Sequence, residues 1–241
     1  MKALVIGGSG GIGHEIAKRL SHDVSLLGIH AGSDSQKLAE LIDYTEKNTK
    51  VATFIQHFSL EEGTKAFFQS FKQSALNVFL EDTDILCICF GPFLQKPVHL
   101  MTEKEWLDIS FFNYTFPGFL ISQALPSMMR KEFGRILVFG GTRTEYIRGF
   151  KTNAAYGGAK TALCSLVQSV SSSYASKNIR CNAILPGFVD TEYIDESQRK
   201  ECIRLGAPLI SVDKIADAAV FLLKSEHISG ELLRVDGGFS F

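Results

Sequence analysis

Two kinds of apolar pattern alternate along the chain. In one, apolar residues crowd into short runs of four to eight positions. In the other they recur every three to four residues. The first kind falls at 3–6, 24–29, 51–58, 85–90, 136–139, 180–185 and 232–235 and predicts strands. Several of these runs are apolar at every position, as strands covered on both faces are. The second kind predicts helices over 13–21, 35–47, 61–80, 102–112, 117–133, 154–176, 192–205 and 213–224. Ser35 suits an N-cap, Thr102 with Glu105 reads as a capping box, and Pro117 fits the first turn of its helix. Seven strands with helices between them predict an α/β fold. It is a doubly wound parallel seven-stranded sheet with helices on both faces, expected as a single domain over residues 1–241. Ligands of such folds bind outside the carboxyl ends of the strands, so the loops after strands are where chemistry is expected.

The composition narrows the partners. The 241 residues are 45% hydrophobic and 21% charged, which excludes a disordered or fibrous chain. Lys plus Arg number 25 and Asp plus Glu 26, a formal charge of −1. That balance points away from nucleic acid and from an anionic membrane as partners. No apolar run approaches the length of about 18 residues that crossing a bilayer needs. Residues 1–6 lead straight into glycines, unlike a signal peptide, so a cytoplasmic location is expected. The cysteines at 87, 89, 164, 181 and 202 are odd in number and have apolar neighbours. They read as reduced, buried thiols, and no metal site is expected from them.

The first strand runs directly into Gly7, Gly8, Ser9, Gly10, Gly11, Ile12 and Gly13, and a helix follows. Glycines at such a turn allow the bend, let backbone amides approach a pyrophosphate and let the helix pack close to the strand. The helix N-terminus then offers unpaired N–H groups to the phosphates. Taken alone, a glycine loop is also an ordinary turn. The spacing Gly7-x3-Gly11-x-Gly13 resembles the glycine motif of the short-chain dehydrogenase/reductase family, with Ile6 where that family usually has threonine.

Tyr156 and Lys160 stand four apart in the long helix 154–176, so both can address one site. A neighbouring ammonium is expected to lower the phenol towards neutrality and make it a usable proton donor and acceptor. By itself Tyr-x3-Lys is more often a packing tyrosine beside a solvated lysine. Following a glycine loop, it is similar to the family's catalytic signature. The resemblance implies that Tyr156 moves the proton and that Lys160 tunes it and holds the nicotinamide ribose. Asn113, seven residues after Trp106, resembles the family's proton-relay asparagine. Thr142, 14 residues before Tyr156, is assigned the place of the family's serine, since no serine lies between strand five and the tyrosine.

The resemblance extends over nearly the whole chain and implies a Rossmann-type dinucleotide fold. Pro186 and Gly187 would wall the nicotinamide, while Val189 and Thr191 would hold its carboxamide. After strand four only Gly91 remains of the family's Asn-Asn-Ala-Gly. His57, followed by Phe58, stands where an aspartate usually meets the adenine. No carboxylate falls at the tip of strand two, and His30, Ser33 and Lys37 there suit a phosphate, so NADP(H) is expected over NAD(H). The activity implied is hydride transfer between a nicotinamide and a ketone or secondary alcohol of a small-molecule substrate, 3-oxoacyl thioesters among them. The alternative is a catalytically weak dinucleotide-binding sensor or scaffold. The segment 192–205 is expected over the substrate. Helices 117–133 and 154–176 are expected to pair copies into a homo-oligomer, dimer or tetramer.

Overall fold

The computed structural model describes residues 1–239. Strands β1 (Lys2–Ile6), β2 (Leu26–Ala31), β3 (Lys50–Ile55), β4 (Ile85–Ile88), β5 (Gly134–Phe139), β6 (Ile179–Pro186) and β9 (Leu232–Val235) form the sheet. Its order is β3-β2-β1-β4-β5-β6-β9, and every pairing is parallel. The order reverses between β1 and β4, the crevice where an open α/β sheet places its ligand.

The uninterrupted apolar runs have a direct explanation. In β1, Leu4 and Ile6 enter one core cluster while Ala3 and Val5 enter the cluster on the other face. Side chains alternate along a strand, and both faces are covered, so every position is apolar. Helices α1 (Gly11–Leu20), α2 (Gln36–Thr45) and α9 (Val212–Lys224) supply residues to one cluster. Helices α3 (Gly63–Lys72), α4 (Ala75–Leu80), α6 (Phe116–Lys131) and α7 (Ala154–Tyr174) supply the other. That second side holds a phenylalanine cluster: Phe116, 1% exposed, lies 4.8 to 5.1 Å from the rings of Phe58, Phe67 and Phe71.

Several boundaries differ from the sequence pattern. The helix expected over 61–80 is divided in two, because the Ser74 hydroxyl accepts from the Asn77 N–H and starts α4 afresh. The segment 192–205 becomes helical only at α8 (Glu196–Arg204), where Asp195 and Gln198 form a capping box. Helix α5 (Glu103–Ser110) has the Thr102–Glu105 box and runs through a π turn, Phe111–Thr115, into α6. Two three-residue strands, β7 (Phe188–Asp190) and β8 (Leu209–Ser211), pair with each other and are too short to show a period. Strand β3 stops at Ile55, which leaves Phe58 in a loop. Among the described residues no helix is long and apolar enough to cross a membrane, and no cluster of three or more metal-ligating side chains is found.

Candidate active site

The loop from Gly7 to Gly10 joins β1 to α1 at the carboxyl edge of the sheet. Gly11, at φ +50°, is left-handed, a conformation open to glycine at little cost. A Cβ on Gly13 would lie 2.1 Å from the Gly7 carbonyl oxygen, so only glycine allows the helix to start this close to the strand. Ser9, Gly10 and Ile12 are part-exposed along this turn, and Gly8 is buried beneath it, its N–H donating to the His30 carbonyl. The cradle fits a pyrophosphate: a tight glycine turn feeds the N-terminus of a ten-residue helix.

His30 supports this loop and does not face a phosphate. Its ring is 1% exposed; Nδ1 accepts from the Gly7 N–H at 3.1 Å and Nε2 donates to the Gln56 carbonyl at 2.9 Å. Burial pushes its pKa down to about 4, so the ring is neutral. It stacks on Phe58 with centroids 4.3 Å apart. Both side chains expected at the cofactor are therefore interior, and the phosphate reading of His30 is corrected. The reason is the strand period: His30 shares a face of β2 with Leu26, and that face packs on the phenylalanine cluster. Ser33 is exposed just beyond β2. Lys37 pairs with Glu192 at 3.0 Å.

Glu192 itself is a residue the sequence pattern gave no sign of. Its Oε1 accepts from the Gly11 N–H at 3.1 Å, so a carboxylate already sits at the head of α1. The Tyr193 ring lies against the same turn; a Cβ on Gly11 would be 3.1 Å from it. Thr191 braces this segment, its Oγ1 accepting from the Tyr193 N–H, while its own N–H donates to the Val189 carbonyl. Pro186 ends β6, and a Cβ on Gly187 would come within 3.0 Å of the Asp236 backbone, so the chain turns here in tight quarters. The structure thus brings 186–193 across the sheet edge to the glycine loop.

The second half of the site is built on the start of α7. Tyr156 is half-buried, with Phe93 edge-on at 4.9 Å. Lys160, one turn on, is buried and donates to the Phe139 carbonyl at the end of β5 at 2.7 Å, with its ammonium 5.7 Å from the Tyr156 ring centre. Burial lowers Lys160 to about 8 and raises Tyr156 to about 12. The expectation that the ammonium brings the phenol towards neutrality is corrected: removal from water dominates, and it favours the uncharged form of both groups.

Asn113 lies in the π turn, where its Nδ2 donates to the Ile109 and Pro92 carbonyls at 3.0 and 2.8 Å. Its Oδ1 is buried and has no hydrogen-bond partner among the described residues. That oxygen and the Lys160 ammonium converge on Gly91: a Cβ there would be 2.5 Å from one and 3.1 Å from the other. Gly91 is thus the close approach that lets an asparagine from α5–α6 and a lysine from α7 face one spot.

Thr142 is at the site but differently engaged from the expectation. Its hydroxyl donates to the Pro186 carbonyl at 3.0 Å, so it offers the site lone pairs rather than a proton. Thr144, two residues on, is turned back on Gly141, donating to its carbonyl and accepting from its N–H. A Cβ on Gly141 would be 3.2 Å from the Tyr156 ring, which places the end of β5 against the phenol.

This arrangement has relatives. The family model described as enoyl-(acyl carrier protein) reductase matches residues 7–240. A 3-oxoacyl-[acyl-carrier-protein] reductase of Vibrio cholerae is 31% identical over 249 residues, covering 98% of this chain and 96% of the relative. Nodulation protein G of a Rhizobium strain is 28% identical, covering 99% and 96%. A short-chain dehydrogenase/reductase from Serratia marcescens superposes with a TM-score of 0.83 at 24% identity, over 100% of this chain and 98% of that one. A 3-oxoacyl-[acyl-carrier protein] reductase from Brucella melitensis gives 0.81 at 19%, over 100% and 91%. With the family model matching residues 7–240 and a relative 31% identical over 98% of this chain, the chain belongs to the short-chain dehydrogenase/reductase family of oxidoreductases.

Proposed function

We propose that the chain reduces a ketone with a nicotinamide dinucleotide, NADP(H) in preference to NAD(H), with Tyr156 supplying the proton. One observation carries the reading: the Lys160 ammonium and the unpaired Asn113 Oδ1 meet at Gly91, beside Tyr156 and across from the glycine cradle. An orphaned buried acceptor is costly unless something fills its need, and a site for a ligand hydroxyl or a proton relay does so. The bound dinucleotide would supply the hydride. Gly7 through Gly13 would hold its pyrophosphate, Lys160 its ribose, and Pro186, Gly187, Val189 and Thr191 its nicotinamide end. The tip of β2 carries no carboxylate to repel a 2′-phosphate, and this supports NADP(H) even without His30.

The proton chemistry follows from the shifts. A phenol raised to about 12 keeps its proton at neutral pH and stands ready to donate it to a carbonyl oxygen gaining charge. Lys160, at about 8, is mostly protonated at neutral pH and stabilises the phenolate left behind. Reduction is therefore the direction the resting site is charged for. The relatives named as 3-oxoacyl-[acyl-carrier-protein] reductases make a 3-oxoacyl thioester the first substrate to try.

The test is Tyr156→Phe, assayed by nicotinamide absorbance with acetoacetyl coenzyme A. Loss of general acid catalysis is expected to cut turnover by on the order of 10²–10⁴. Dinucleotide affinity should stay within about twofold. A variant that turns over like the parent refutes Tyr156 as the donor. Dinucleotide binding without turnover of any carbonyl by the parent chain would favour a sensor or scaffold instead.

A further inference from the structure

Beside the proposed catalytic residues lies a cavity of about 290 Å³, walled by the β5–α7 connection and by Phe239. Its lining includes Thr142, Arg143, Arg148, Lys151 and Asn153. Thr142 and Gly141 link the cavity to the Tyr156 ring, and Asn153 sits one position before α7 begins. Phe150, also in the wall, packs on Gly157, the residue after the tyrosine.

The lining carries three cations and no carboxylate, in a chain whose net charge is −1. None of the three makes an ion pair among the described residues. Arg148 and Lys151 are exposed at the mouth. Arg143 is set deeper. Its backbone is left-handed at φ +62°, an uncommon conformation for a residue with a side chain. One Nη donates to the Phe239 carbonyl at 3.2 Å, and the guanidinium lies 5.5 Å from the Phe239 ring centre. Its Nε is buried and has no hydrogen-bond partner among the described residues. A guanidinium, with its planar fork of N–H donors, is the side chain best matched to a planar carboxylate. A strained backbone that holds such a group in a cavity beside reacting residues is a feature of functional sites.

We propose that this cavity receives a carboxylate on the substrate, so that the preferred ketone is an oxo acid. Arg143 is its inner anchor, and Arg148 and Lys151 attract it at the mouth. The proposal rests on the oxidoreductase reading for the word ketone; the anion preference of the cavity stands apart from it.

Binding is therefore measured separately from turnover. The full chain is titrated calorimetrically with 4-acetylbenzoate and with its neutral analogue 4-acetylbenzamide. Each titration is run with and without NADP⁺, which cannot reduce either ketone. The acid should bind at least about tenfold tighter at low salt, with the advantage shrinking as salt rises. In Arg148→Gln/Lys151→Gln, two exposed sites where folding is not at stake, the acid-to-amide ratio should fall at least threefold. Arg143→Gln should abolish the ratio; where that variant does not fold, the exposed pair decides alone. Equal affinity for acid and amide, or an unchanged ratio in the double variant, overturns the proposal. Reduction of both ketones by NADPH is followed in parallel. Turnover without acid preference removes the carboxylate site and leaves the oxidoreductase, and acid preference without turnover does the reverse.

Discussion

His30 shows how much one side chain can decide. Nδ1 accepts and Nε2 donates, so the bonds to Gly7 and Gln56 require the neutral ring. A proton on Nδ1 would set two donors against each other and release the glycine loop. The ordinary value of 6.5 falls to about 4 on folding. Between those values the unfolded chain binds a proton that the folded chain refuses, so stability falls as pH drops from 6.5 to 4 and is level above. At ~1.36 kcal/mol per pH unit the loss from this residue is roughly 3 kcal/mol. Urea unfolding across that window should be steeper in pH for the parent than for His30→Gln, and parallel curves would contradict the assignment. The orientation of His30 was legible only in part. Charge and position suggested a phosphate ligand, whereas the face it takes follows from its register with Leu26, and what fills that face is known only from the folded chain. The placement of Tyr156 beside Lys160 was legible because four residues of helix set their relation locally. Their titration was not, since it depends on burial by Phe93 and β5, which are far away in sequence.

At the scale of elements, the glycine loop and the segment after β6 belong together. Sequence pattern identified both ends, because a strand-to-helix glycine turn and a Pro-Gly exit are local features. It did not show that Glu192 would cap α1 from 181 residues away. That carboxylate occupies the head of α1, where a cofactor phosphate bound at the glycine turn would sit, and the two would compete for the Gly11 N–H. An anion at a helix N-terminus is worth ~0.3–1 kcal/mol. Glu192→Gln should therefore bind NADPH about two- to fivefold tighter, by fluorescence titration. Weaker binding in the variant would mean that Glu192 and Lys37 close over the cofactor instead. The breaks at Ser74 and Asp195 follow the same logic on a smaller scale. A serine or aspartate that can cap a new helix ends the claim of an older one, and periodicity alone does not register it.

The whole molecule is arranged so that remote segments meet at the reversal point between β1 and β4. Four stretches of chain converge there: the glycine loop, the β4 exit with Gly91, the β5–α7 connection and the β6 exit. Strand count, parallel order and helix layers were all legible, because uninterrupted apolar strands admit few other architectures. The helices expected to carry self-association, α6 and α7, run beside one another, with Ile121, Leu125, Leu166 and Val170 lining an open groove between them. The site's departures from its family pattern are local and leave this convergence intact. Ile88 and Cys89 stand where asparagines are usual, and Phe90, in the alanine's place, joins the phenylalanine cluster, 5.3 Å from Phe58. Core packing there replaces polar bracing. The most direct test of the account is a fluorescence titration of the purified chain with NADPH and, separately, NADH. Saturable binding below about millimolar concentration, tighter for NADPH, is the expected result. No binding of either would mean that the glycine turn is structural only, and the oxidoreductase reading of the site would fall with it.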